Sequence, residues 1–514
     1  MRKRLPIGIQ TFQKIREDDC YYVDKTRFAV ELVRQGQYYF LSRPRRFGKS
    51  LFLDTLKELF EGNRDLFSGL YAENNWDWSV CYPVIHISFG GGVIRDRDDL
   101  KRTILSMLRF NRERLGIQCT ETDHVSRCFV EMIRNAHHNT GRRVVVLVDE
   151  YDKPILDRIE DEAVALEIRE GLKDFYSVIK DADAHIKFAF LTGVSKFSKV
   201  SLFSGLNNLQ DITLDHRYSA ICGYMEEDLD HVFSPELEGL DRQQIRLWYN
   251  GYNWTGETVY NPFDLLLLFS TRQFRSYWFE TGTPSFLIQL LLERRQFTPD
   301  LERIVAPETL ISTFDVGNIP VEALLFQTGY LTIASMEDIP GFSQFILRYP
   351  NLEVRTALNR EMLAALTGDA IQSGVHLGKL YRLLSAGDFN GLRSLFHAFY
   401  ASIPHQWYTN NSIDQYEGFY VSVFYSYFAA LGLDIRTEES TNHGRIDMAV
   451  LFNRQVYLVE FKVVEEEPEG KAIAQLRNKS YAEKYRSHGW PIHLIGVEFS
   501  TTERNIVGFE VETV

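Results

Sequence analysis

Short apolar runs alternate with helical stretches along the first part of the chain. Val144–Val148 is continuously apolar, as expected for a strand that is buried on both faces of a parallel sheet. Ser50–Leu56 and Arg95–Leu115 carry apolar residues at helical spacing. Strands that alternate with helices predict an α/β domain with a parallel sheet and right-handed crossovers. The four predicted strands are Tyr38–Leu41, Pro83–Phe89, Val144–Val148 and Ile186–Leu191.

The pattern changes twice further along the chain. From residue 215 to residue 400 it is mostly helical and rich in Leu, Phe and Tyr. The last part then switches to a long helix, two strands, a helix and a strand. We therefore predict three domains: an α/β domain at 1–214, a helical lid and middle region at 215–404, and a second α/β domain at 405–514.

Composition narrows the class of protein only slightly. The chain has 514 residues, 45% apolar and 25% charged, which is an ordinary globular balance. No apolar run is long enough to cross a membrane, and the basic N-terminus lacks the apolar stretch of a signal peptide, so we expect a cytoplasmic protein. Five scattered cysteines suit a reducing compartment. The net charge of −13 does not indicate a general nucleic-acid binder, but a local basic groove is compatible with it.

The stretch RPRRFGKS ends like a phosphate-binding loop but begins differently. In the usual G-x-x-x-x-G-K-[ST] loop, main-chain N–H groups cradle the phosphates, the lysine reaches the β- and γ-phosphates, and the hydroxyl binds Mg²⁺. Gly48, Lys49 and Ser50 supply the last three positions. Arg43 stands where the first glycine is expected, and Pro44 offers a fixed φ as another way to turn the chain.

Three neighbours complete the predicted ATP-binding segment. They are Arg46, Phe47 and Leu51. Whether Arg46 touches phosphate, a partner subunit or only solvent is left open at this stage.

Acidic residues at the end of another strand support a nucleotide site. Asp149 and Glu150 directly follow the Val144–Val148 run. We predict that Asp149 holds Mg²⁺ together with Ser50, and that Glu150 orients the attacking water. The alternative is a solvated Asp-Glu turn beside a chance Gly-Lys-Ser. The polar loop Thr192–Lys196 follows the last apolar strand, where either a γ-phosphate sensor or an ordinary polar loop would lie.

A second constellation lies in GRIDMAVLFNRQVYLVEFKVVEE. Alternate residues of a strand share a face, so Glu460 and Lys462 point the same way, and a hairpin would bring Asp447 close to both. Two carboxylates that bind Mg²⁺ or Mn²⁺, with a lysine to stabilise developing charge, suit phosphodiester cleavage. Glu417 and Gln475 are predicted accessory residues. The alternative is a cross-strand ion pair, with Asp447 as a turn residue.

Charge argues against a simple duplex-binding surface on this last domain. From Tyr408 onward the chain has ten Lys and Arg residues against sixteen Asp and Glu residues. Three interpretations stay open: the basic surface lies elsewhere, a partner brings the substrate, or the site no longer cuts.

Together, these stretches resemble a bacterial family that joins an AAA-ATPase-like domain to a C-terminal PD-(D/E)xK nuclease-superfamily domain. The segments that carry the resemblance are Ile7-Gly8, YVDKT, RPRRFGKS, VDEYDKP, LTGVSKFSKVSLFSGLNNL, WYNGYNW, YNPFD and ETGTPSFL. In that family RPRRFGKS is the usual form of the loop. The resemblance implies Walker A roles for Lys49 and Ser50 and Walker B roles for Asp149 and Glu150. It also implies that the segment after Asp215 is a helical lid.

The same resemblance implies the roles at the second site. Asp447, Glu460 and Lys462 match the nuclease core, with Glu417 and Gln475 as accessory positions. Ile446 replaces the signature proline. The implied fold is a P-loop NTPase core with a parallel sheet, a helical middle region and a C-terminal restriction-endonuclease-like α/β domain.

Three functions compete at this stage. The first is an ATP-controlled, metal-dependent nuclease, with DNA favoured over RNA as the substrate and bacterial defence against mobile DNA as the setting implied by analogy. The second is a nucleotide switch whose nuclease-like domain only binds nucleic acid or a protein partner. The third is a scaffold without either activity. A homo-oligomer is left open.

Overall fold

The computed structural model describes residues 2–196, 202–203, 208–279, 285–294, 296, 298–309, 320–403, 417–441 and 444–514. The chain divides into two compact units. One comprises Met1–Trp278 and Ile304–Asn351, and the other Phe279–Arg303 and Leu352–Val514. Within the 215–404 region, residues 215–278 and 304–351 belong to the first unit, and residues 279–303 and 352–404 belong to the second. The predicted boundary at 404/405 lies outside the described residues, as do parts of LTGVSKFSKVSLFSGLNNL and ETGTPSFL.

The helices and strands follow in chain order. Up to residue 278 they are α1 (Phe12–Glu17), α2 (Thr26–Gln35), β1 (Tyr38–Ser42), α3 (Lys49–Glu61), α4 (Tyr71–Asn75), β2 (Val84–Ser88), α5 (Arg97–Leu115), α6 (Val125–Thr140), β3 (Val144–Asp149), α7 (Lys153–Leu156), α8 (Glu162–Asp181), β4 (Ile186–Gly193), β5 (Gln210–Asp211), α9 (Glu226–His231), α10 (Arg242–Tyr249) and α11 (Pro262–Thr271).

Beyond residue 278 the described elements are α12 (Ser285–Glu293), β6 (Ile304–Pro307), α13 (Val321–Thr328), β7 (Thr332–Ile339), β8 (Phe342–Arg348), α14 (Leu352–Thr367), α15 (Ala370–Ala386), α16 (Phe389–Ser402), α17 (Glu417–Ala430), β9 (Asp434–Thr441), β10 (Gly444–Phe452), β11 (Gln455–Val464), α18 (Lys471–Asn478), β12 (Ile492–Ser500) and β13 (Asn505–Thr513).

A five-stranded parallel sheet forms the centre of the first unit. Its strand order is β2-β3-β4-β1-β5, so β4 lies between β1 and β3. The side chains of Val144–Val148 are fully buried, as the continuous apolar run predicts. Because all five strands run parallel, the loops after β1, β3 and β4 meet at one edge of the sheet. The predicted P-loop, the two predicted Walker B acids and the Thr192–Lys196 loop all start from that edge.

A small sheet accompanies the helices of the middle region. Strands β6, β8 and β7 pair antiparallel in that order and belong to the first unit. The predicted helices dominate this stretch, but the sequence analysis did not anticipate the sheet. Most β7 side chains are exposed, so the strand lacks the apolar run that identifies a buried one.

The second unit contains a mixed five-stranded sheet with the order β13-β12-β11-β10-β9. Strands β11 and β12 are parallel, and α18 lies on both as their crossover helix. The other neighbours pair antiparallel. The predicted strands and helices of this region correspond to β10, β11, β12, α17 and α18, whereas the edge strands β9 and β13 were not predicted. Charged side chains interrupt both edge strands, which hides their strand pattern.

No helix in the described parts of the chain is both long and apolar enough to cross a membrane.

Candidate nucleotide and nuclease sites

The predicted P-loop links a buried strand to a helix N-terminus. Strand β1 ends at Ser42, and α3 begins at Lys49. Gly48 caps the helix with φ at 93°, a left-handed conformation that favours glycine. Arg46 also has a positive φ, 68°, and its exposed guanidinium lies 4.7 Å from the ring centre of Phe263. The loop therefore turns at Arg46 and Gly48 immediately before α3, whose N-terminus is suited to bind an anion.

Arg43 is a buried structural residue. Its side chain is fully buried, and its guanidinium donates to the carbonyl oxygens of Ser42 at 2.8 Å, Thr213 at 2.9 Å and Tyr218 at 3.1 Å. The guanidinium also lies 4.2 Å from the ring centre of Trp254. Burial lowers the pKa of Arg43 to about 10, so it stays charged at neutral pH. The residue at the first-glycine position thus ties the loop to the segments that follow β5.

Lys49 lies within the curve of the loop. Its Nζ donates to the carbonyl oxygens of Arg43 and Pro44, both at 2.9 Å, and the side chain is 6% exposed. Burial lowers the pKa of Lys49, while the charge of Asp149 opposes that shift. The lysine thus shares the electrostatic environment of the predicted Walker B acid.

The other predicted residues of the loop differ in their surroundings. Phe47 is buried, with its ring centre 4.7 Å from that of Tyr252 and 5.4 Å from that of Trp254. Ser50 and Leu51 are half-buried in the first turn of α3. Phe47 therefore anchors the loop, while Ser50 is partly exposed.

Asp149 and Glu150 lie at the end of β3. Asp149 is 5% exposed and accepts a hydrogen bond from Thr192 Oγ1 at 2.8 Å. Glu150 has a positive φ of 54°, which is uncommon for a side chain of this kind and typical of functional turns. Burial raises the pKa of Glu150, and the charge of Asp149 raises it further. The two adjacent acids therefore have different surroundings, as a metal ligand and a water-orienting base would need.

Asp152, which was not among the predicted site residues, organises the loop after β4. Its Oδ2 accepts from Ser195 N at 2.7 Å and from Ser195 Oγ at 2.6 Å, and its Oδ1 accepts from Val194 N at 3.2 Å. Gly193 lies so close that an added Cβ would be 2.5 Å from Asp152 Oδ1. The only signal in the sequence was the third acid of VDEYD.

A cavity of about 60 Å³ adjoins Gly48 and the first turn of α3. The N-terminal segment contributes Tyr22 to its wall, and the segment after β5 contributes Cys222, Gly223 and Tyr224. This cavity has no local signal in the sequence, because its walls come from segments that are distant along the chain.

The second predicted site forms on β10 and β11. The pairing of Met448 with Val459 places Asp447 beside Glu460, and Asp447 Oδ2 accepts from Phe461 N at 2.9 Å. Lys462 Nζ lies 3.3 Å from Glu460 Oε1 and donates to the carbonyl oxygen of Phe461 at 2.8 Å. The structure therefore brings Asp447, Glu460 and Lys462 together. The contact between Glu460 and Lys462 is also the ion pair of the alternative interpretation.

Both predicted accessory residues reach this site. Gln475, on α18, donates a short hydrogen bond from Nε2 to Glu460 Oε1. Glu417, at the start of α17, is half-buried. Burial raises the pKa of Glu417, with Lys462 lowering it and Asp447 raising it, so its carboxyl group lies within electrostatic range of both.

The electrostatics of Glu460 suit a cation ligand. The residue is 1% exposed, and burial together with the charge of Asp447 raises its pKa to about 7. Its Oε2 is buried without a hydrogen-bond partner among the described residues. Within the same residues, no group of three or more His, Cys, Asp and Glu side chains is arranged to hold a metal ion. Two carboxylates fit Mg²⁺, which commonly keeps several waters and takes further oxygens from a phosphate.

Three further residues complete the surroundings of this site, and the sequence analysis missed their roles. Glu498 is 2% exposed and accepts from the main-chain N–H groups of Glu469 at 2.6 Å, Gly470 at 3.0 Å and Ala472 at 3.2 Å, which fixes the N-terminus of α18. Gly496 lets α18 approach β12 closely, since an added Cβ would lie 2.5 Å from Ile473 N. Tyr481 is buried and donates to the carbonyl oxygen of Arg445 at 2.9 Å.

Family models match both ends of the chain. A predicted AAA-ATPase model matches residues 6–203, and a PD-(D/E)XK nuclease superfamily model matches residues 415–509. The chain belongs to the family that joins these two domains. The predicted resemblance and the predicted fold class are thereby confirmed.

Individual relatives add detail. The chain is 63% identical over 513 residues to an uncharacterized protein in the vnfD 5′ region of Azotobacter chroococcum mcd 1, and the match covers 100% of this chain and 99% of that protein. The ORC1 protein of Aeropyrum pernix, solved in complex with DNA, aligns at 13% identity over 66% of this chain and 93% of its own, with a TM-score of 0.25. That similarity is too low to bear on function.

Proposed function

We propose that the protein is an ATP-binding and ATP-hydrolysing switch coupled to a metal-dependent nuclease that cleaves DNA. One observation carries the nuclease assignment. Asp447, Glu460 and Lys462 converge on one face of a sheet, and a buried oxygen of Glu460 is free of hydrogen bonds among the described residues. An ion pair between Glu460 and Lys462 would explain the lysine contact, but it would not explain why the other carboxylate oxygen of Glu460 is buried without a hydrogen bond from the described residues.

Each residue of the nuclease site has a distinct proposed role. Asp447 and Glu460 would hold Mg²⁺ or Mn²⁺. A divalent ion at this position supplies Lewis-acid stabilisation to phosphate oxygens and lowers the pKa of water. Lys462 would stabilise negative charge that develops on the phosphate. Gln475 orients the Glu460 carboxylate through its hydrogen bond, and Glu417 would supply a further carboxylate at the rim.

The nucleotide site has a parallel set of roles. Lys49 and the main-chain N–H groups around Gly48 would bind the phosphates, with Arg46, Phe47 and Leu51 flanking them. Ser50 and Asp149 would hold Mg²⁺, and Glu150 would orient the attacking water. Thr192 positions Asp149, and Asp152 holds the adjoining loop in place. We propose the 215–404 region as the lid and middle region between the 1–214 and 405–514 domains.

The biological role that we propose is defence against mobile DNA in the bacterial cytoplasm. The chain would act as a homo-oligomer or with a protein partner, and without a membrane. This setting rests on analogy with the family rather than on the geometry of either site.

A second function competes on a specific observation. The segment from Tyr408 onward carries ten Lys and Arg residues against sixteen Asp and Glu residues, which is unfavourable for holding a polyanion. Under this alternative, the protein is a nucleotide switch whose nuclease-like domain only binds nucleic acid or a protein partner, and the charge balance favours the protein partner.

A cleavage assay separates the two functions. Plasmid and single-stranded DNA are incubated with the full chain and Mg²⁺ or Mn²⁺, with and without ATP, beside Glu460→Ala and Lys49→Ala. We expect metal-dependent cleavage that Glu460→Ala abolishes and that Lys49→Ala makes insensitive to ATP. Cleavage that persists in Glu460→Ala would point to a contaminating nuclease, and a parent that binds ATP but never cuts would favour the switch.

A further inference from the structure

Positive charge is concentrated in one part of this acidic protein. The α5–α6 segment with the two arginines that follow it, residues 97–143, has ten Lys and Arg residues and six Asp and Glu residues, a formal charge of +4. The rest of the chain has 47 Lys and Arg residues and 64 Asp and Glu residues, a formal charge of −17. The two helices contact each other, with α5 on β2 and α6 on β3. The segment is therefore a basic region on the first unit.

The basic side chains of each helix lie on its exposed face. On α5, Arg102 and Arg109 are seven residues apart, which is two helical turns, and both are exposed. On α6, Arg127 and Arg134 have the same spacing and exposure. The opposite face of each helix is buried, as Leu108 on α5 and Phe129 on α6 show. We define the basic face as Lys101, Arg102, Arg109, Arg127 and Arg134.

Little of this charge is neutralised internally. Arg102 pairs with Asp99 at 3.2 Å, with the arginine side chain 69% exposed. For the other four members of the basic face, no ion pair occurs within the described part of the chain.

Acidic side chains also lie near the basic face. Asp98 and Asp123 line a cavity together with Lys101, and two further acids accept hydrogen bonds. Glu131 accepts hydrogen bonds from the N–H groups of Thr120 and Glu121, and Asp174 accepts one from Ser126 Oγ at 2.5 Å. Exposed arginines clustered on adjacent helices are typical of a surface for an anionic polymer.

We propose that the basic face binds the phosphate backbone of duplex DNA and holds the substrate for the nuclease domain. That the ligand is DNA rests on the proposed function, in which DNA is the substrate. The positive charge of the basic face is complementary to a polyanion. The rest of the chain is strongly negative and would repel a polyanion, so binding should be confined to this face. The absence of a basic footprint on the last domain is then explained, since a different domain supplies the affinity.

The test measures binding without cleavage. Fluorescence anisotropy of a short labelled duplex is recorded with the full chain in EDTA, over a salt series from about 50 to 200 mM. The variant combines Arg102→Glu, Arg109→Glu and Arg134→Glu. A matched control combines Arg64→Glu, Arg275→Glu and Arg360→Glu, which are exposed elsewhere in the chain and change the net charge equally. A second variant carries glutamine at the three basic-face positions, which removes charge without adding repulsion.

We expect both basic-face variants to lose at least about tenfold in affinity. The slope of log affinity against log salt should fall by about one for each phosphate contact removed, hence by up to about three. The control should bind like the parent. Equal loss in the control, or unchanged binding in the variants, would overturn the proposal, as would a parent that does not bind duplex DNA.

The same variants separate this proposal from the proposed nuclease function. Asp447→Ala should bind the duplex like the parent and fail to cut it. If the parent binds through the basic face but never cuts, the nuclease function fails and the binding surface stands. If the parent cuts and the basic-face variants bind and cut equally well, the surface fails and the nuclease stands. An acidic protein partner as the true occupant would show as unchanged DNA affinity in the variants.

Discussion

Arg43 shows how a loop can keep its path without its usual first glycine. The guanidinium holds three main-chain carbonyl groups from Ser42, Thr213 and Tyr218, and it stacks on Trp254. A charged group that donates to buried carbonyls stabilises them, and its removal takes that donor from all three, although Tyr218 O also accepts from Ile221 N at 3.2 Å. At this position a glycine would make the start of the loop flexible. Arg43 instead fixes the start of the loop to the segment that follows β5.

The first prediction follows for Arg43→Gly, which restores the common motif. We expect the free energy of unfolding to fall by at least about 3 kcal/mol, since three buried carbonyls lose their donor and a cavity opens. Nucleotide affinity should fall with it. Chemical denaturation and a fluorescent ATP analogue would measure both. Arg45→Gly is the control, because Arg45 is exposed in the same loop and should change stability by less than about 1 kcal/mol. A more stable or tighter-binding Arg43→Gly would refute this role.

The second prediction concerns pH. The pKa of Glu460 is raised to about 7 by burial and by Asp447, and only its ionised form binds a cation well. Mn²⁺ affinity, measured by titration calorimetry, should therefore rise between pH 6 and pH 8, by roughly tenfold. Glu460→Gln should lose both the affinity and its pH dependence. An affinity that is flat across this range would contradict the raised pKa.

The same ionisation of Glu460 should lower the stability of the folded protein as the pH rises, whereas it raises the Mn²⁺ affinity. The folded pKa of Glu460 lies above the ordinary value of 4.5, so ionisation favours the unfolded chain, and stability falls as the pH rises from 4.5 to about 7. Above that range, Glu460→Gln should be more stable than the parent by up to about 3 kcal/mol without metal. Thermal unfolding at pH 8 in EDTA would measure this, and a less stable variant would contradict it.

At the scale of elements, the helix α18 delivers a side chain to the nuclease site. Gly496 of β12 pairs with Glu460 of β11 in the parallel register. The helix α18 packs closely on Gly496, next to the Glu460 carboxylate to which Gln475 of the same helix donates a hydrogen bond. Glu498, which pairs with Lys462, fixes the N-terminus of the same helix. The strand β12 thus sets the position of Gln475 although it carries none of the predicted site residues.

The third prediction tests this arrangement with Gly496→Ala. The added Cβ would lie 2.5 Å from Ile473 N, which is main chain and cannot rotate away, so α18 must shift. We expect at least about a tenfold loss of cleavage with ATP binding unchanged. The control is Gly374→Ala in α15, where an added Cβ meets nothing within 4 Å and helix propensity should rise. Full activity in Gly496→Ala would mean that Gln475 does not need this position.

These elements also show what the sequence could predict. The strands β1, β3 and β4 were predictable because each is a short and almost entirely apolar run that is buried in the sheet, with Lys187 of β4 and Asp149 at the end of β3 as the charged residues in them. The convergence of Asp447 with Glu460 followed from strand alternation and a hairpin. Contacts across long sequence separations, such as Arg43 with Tyr218 or Glu498 with Gly470, had no local signal. The edge strands β9 and β13 were missed since their charged residues break the apolar pattern.

At the scale of the whole molecule, the two proposed sites lie in different compact units. The residues of the nucleotide site all belong to the first unit, and those of the nuclease site all belong to the second. Each site forms its own hydrogen bonds within its unit, Lys49 with Arg43 and Gln475 with Glu460. Loss of one site should therefore leave the local structure of the other intact, and any dependence between them must come from coupling between the units.

The last prediction measures that coupling with two single variants. Lys49→Ala should abolish ATP binding, and Asp447→Ala should abolish cleavage while leaving ATP affinity within about twofold of the parent. If nucleotide licenses cleavage, ATP should accelerate cutting by the parent, and Lys49→Ala should cut at the parent's ATP-free rate. Because coupling between binding events is reciprocal, duplex DNA should then change the ATP affinity of Asp447→Ala by the same factor by which ATP changes its DNA affinity. Two unequal factors would mean that the sites are linked through turnover rather than through a shared conformational equilibrium, and two factors of one would mean that the units work independently.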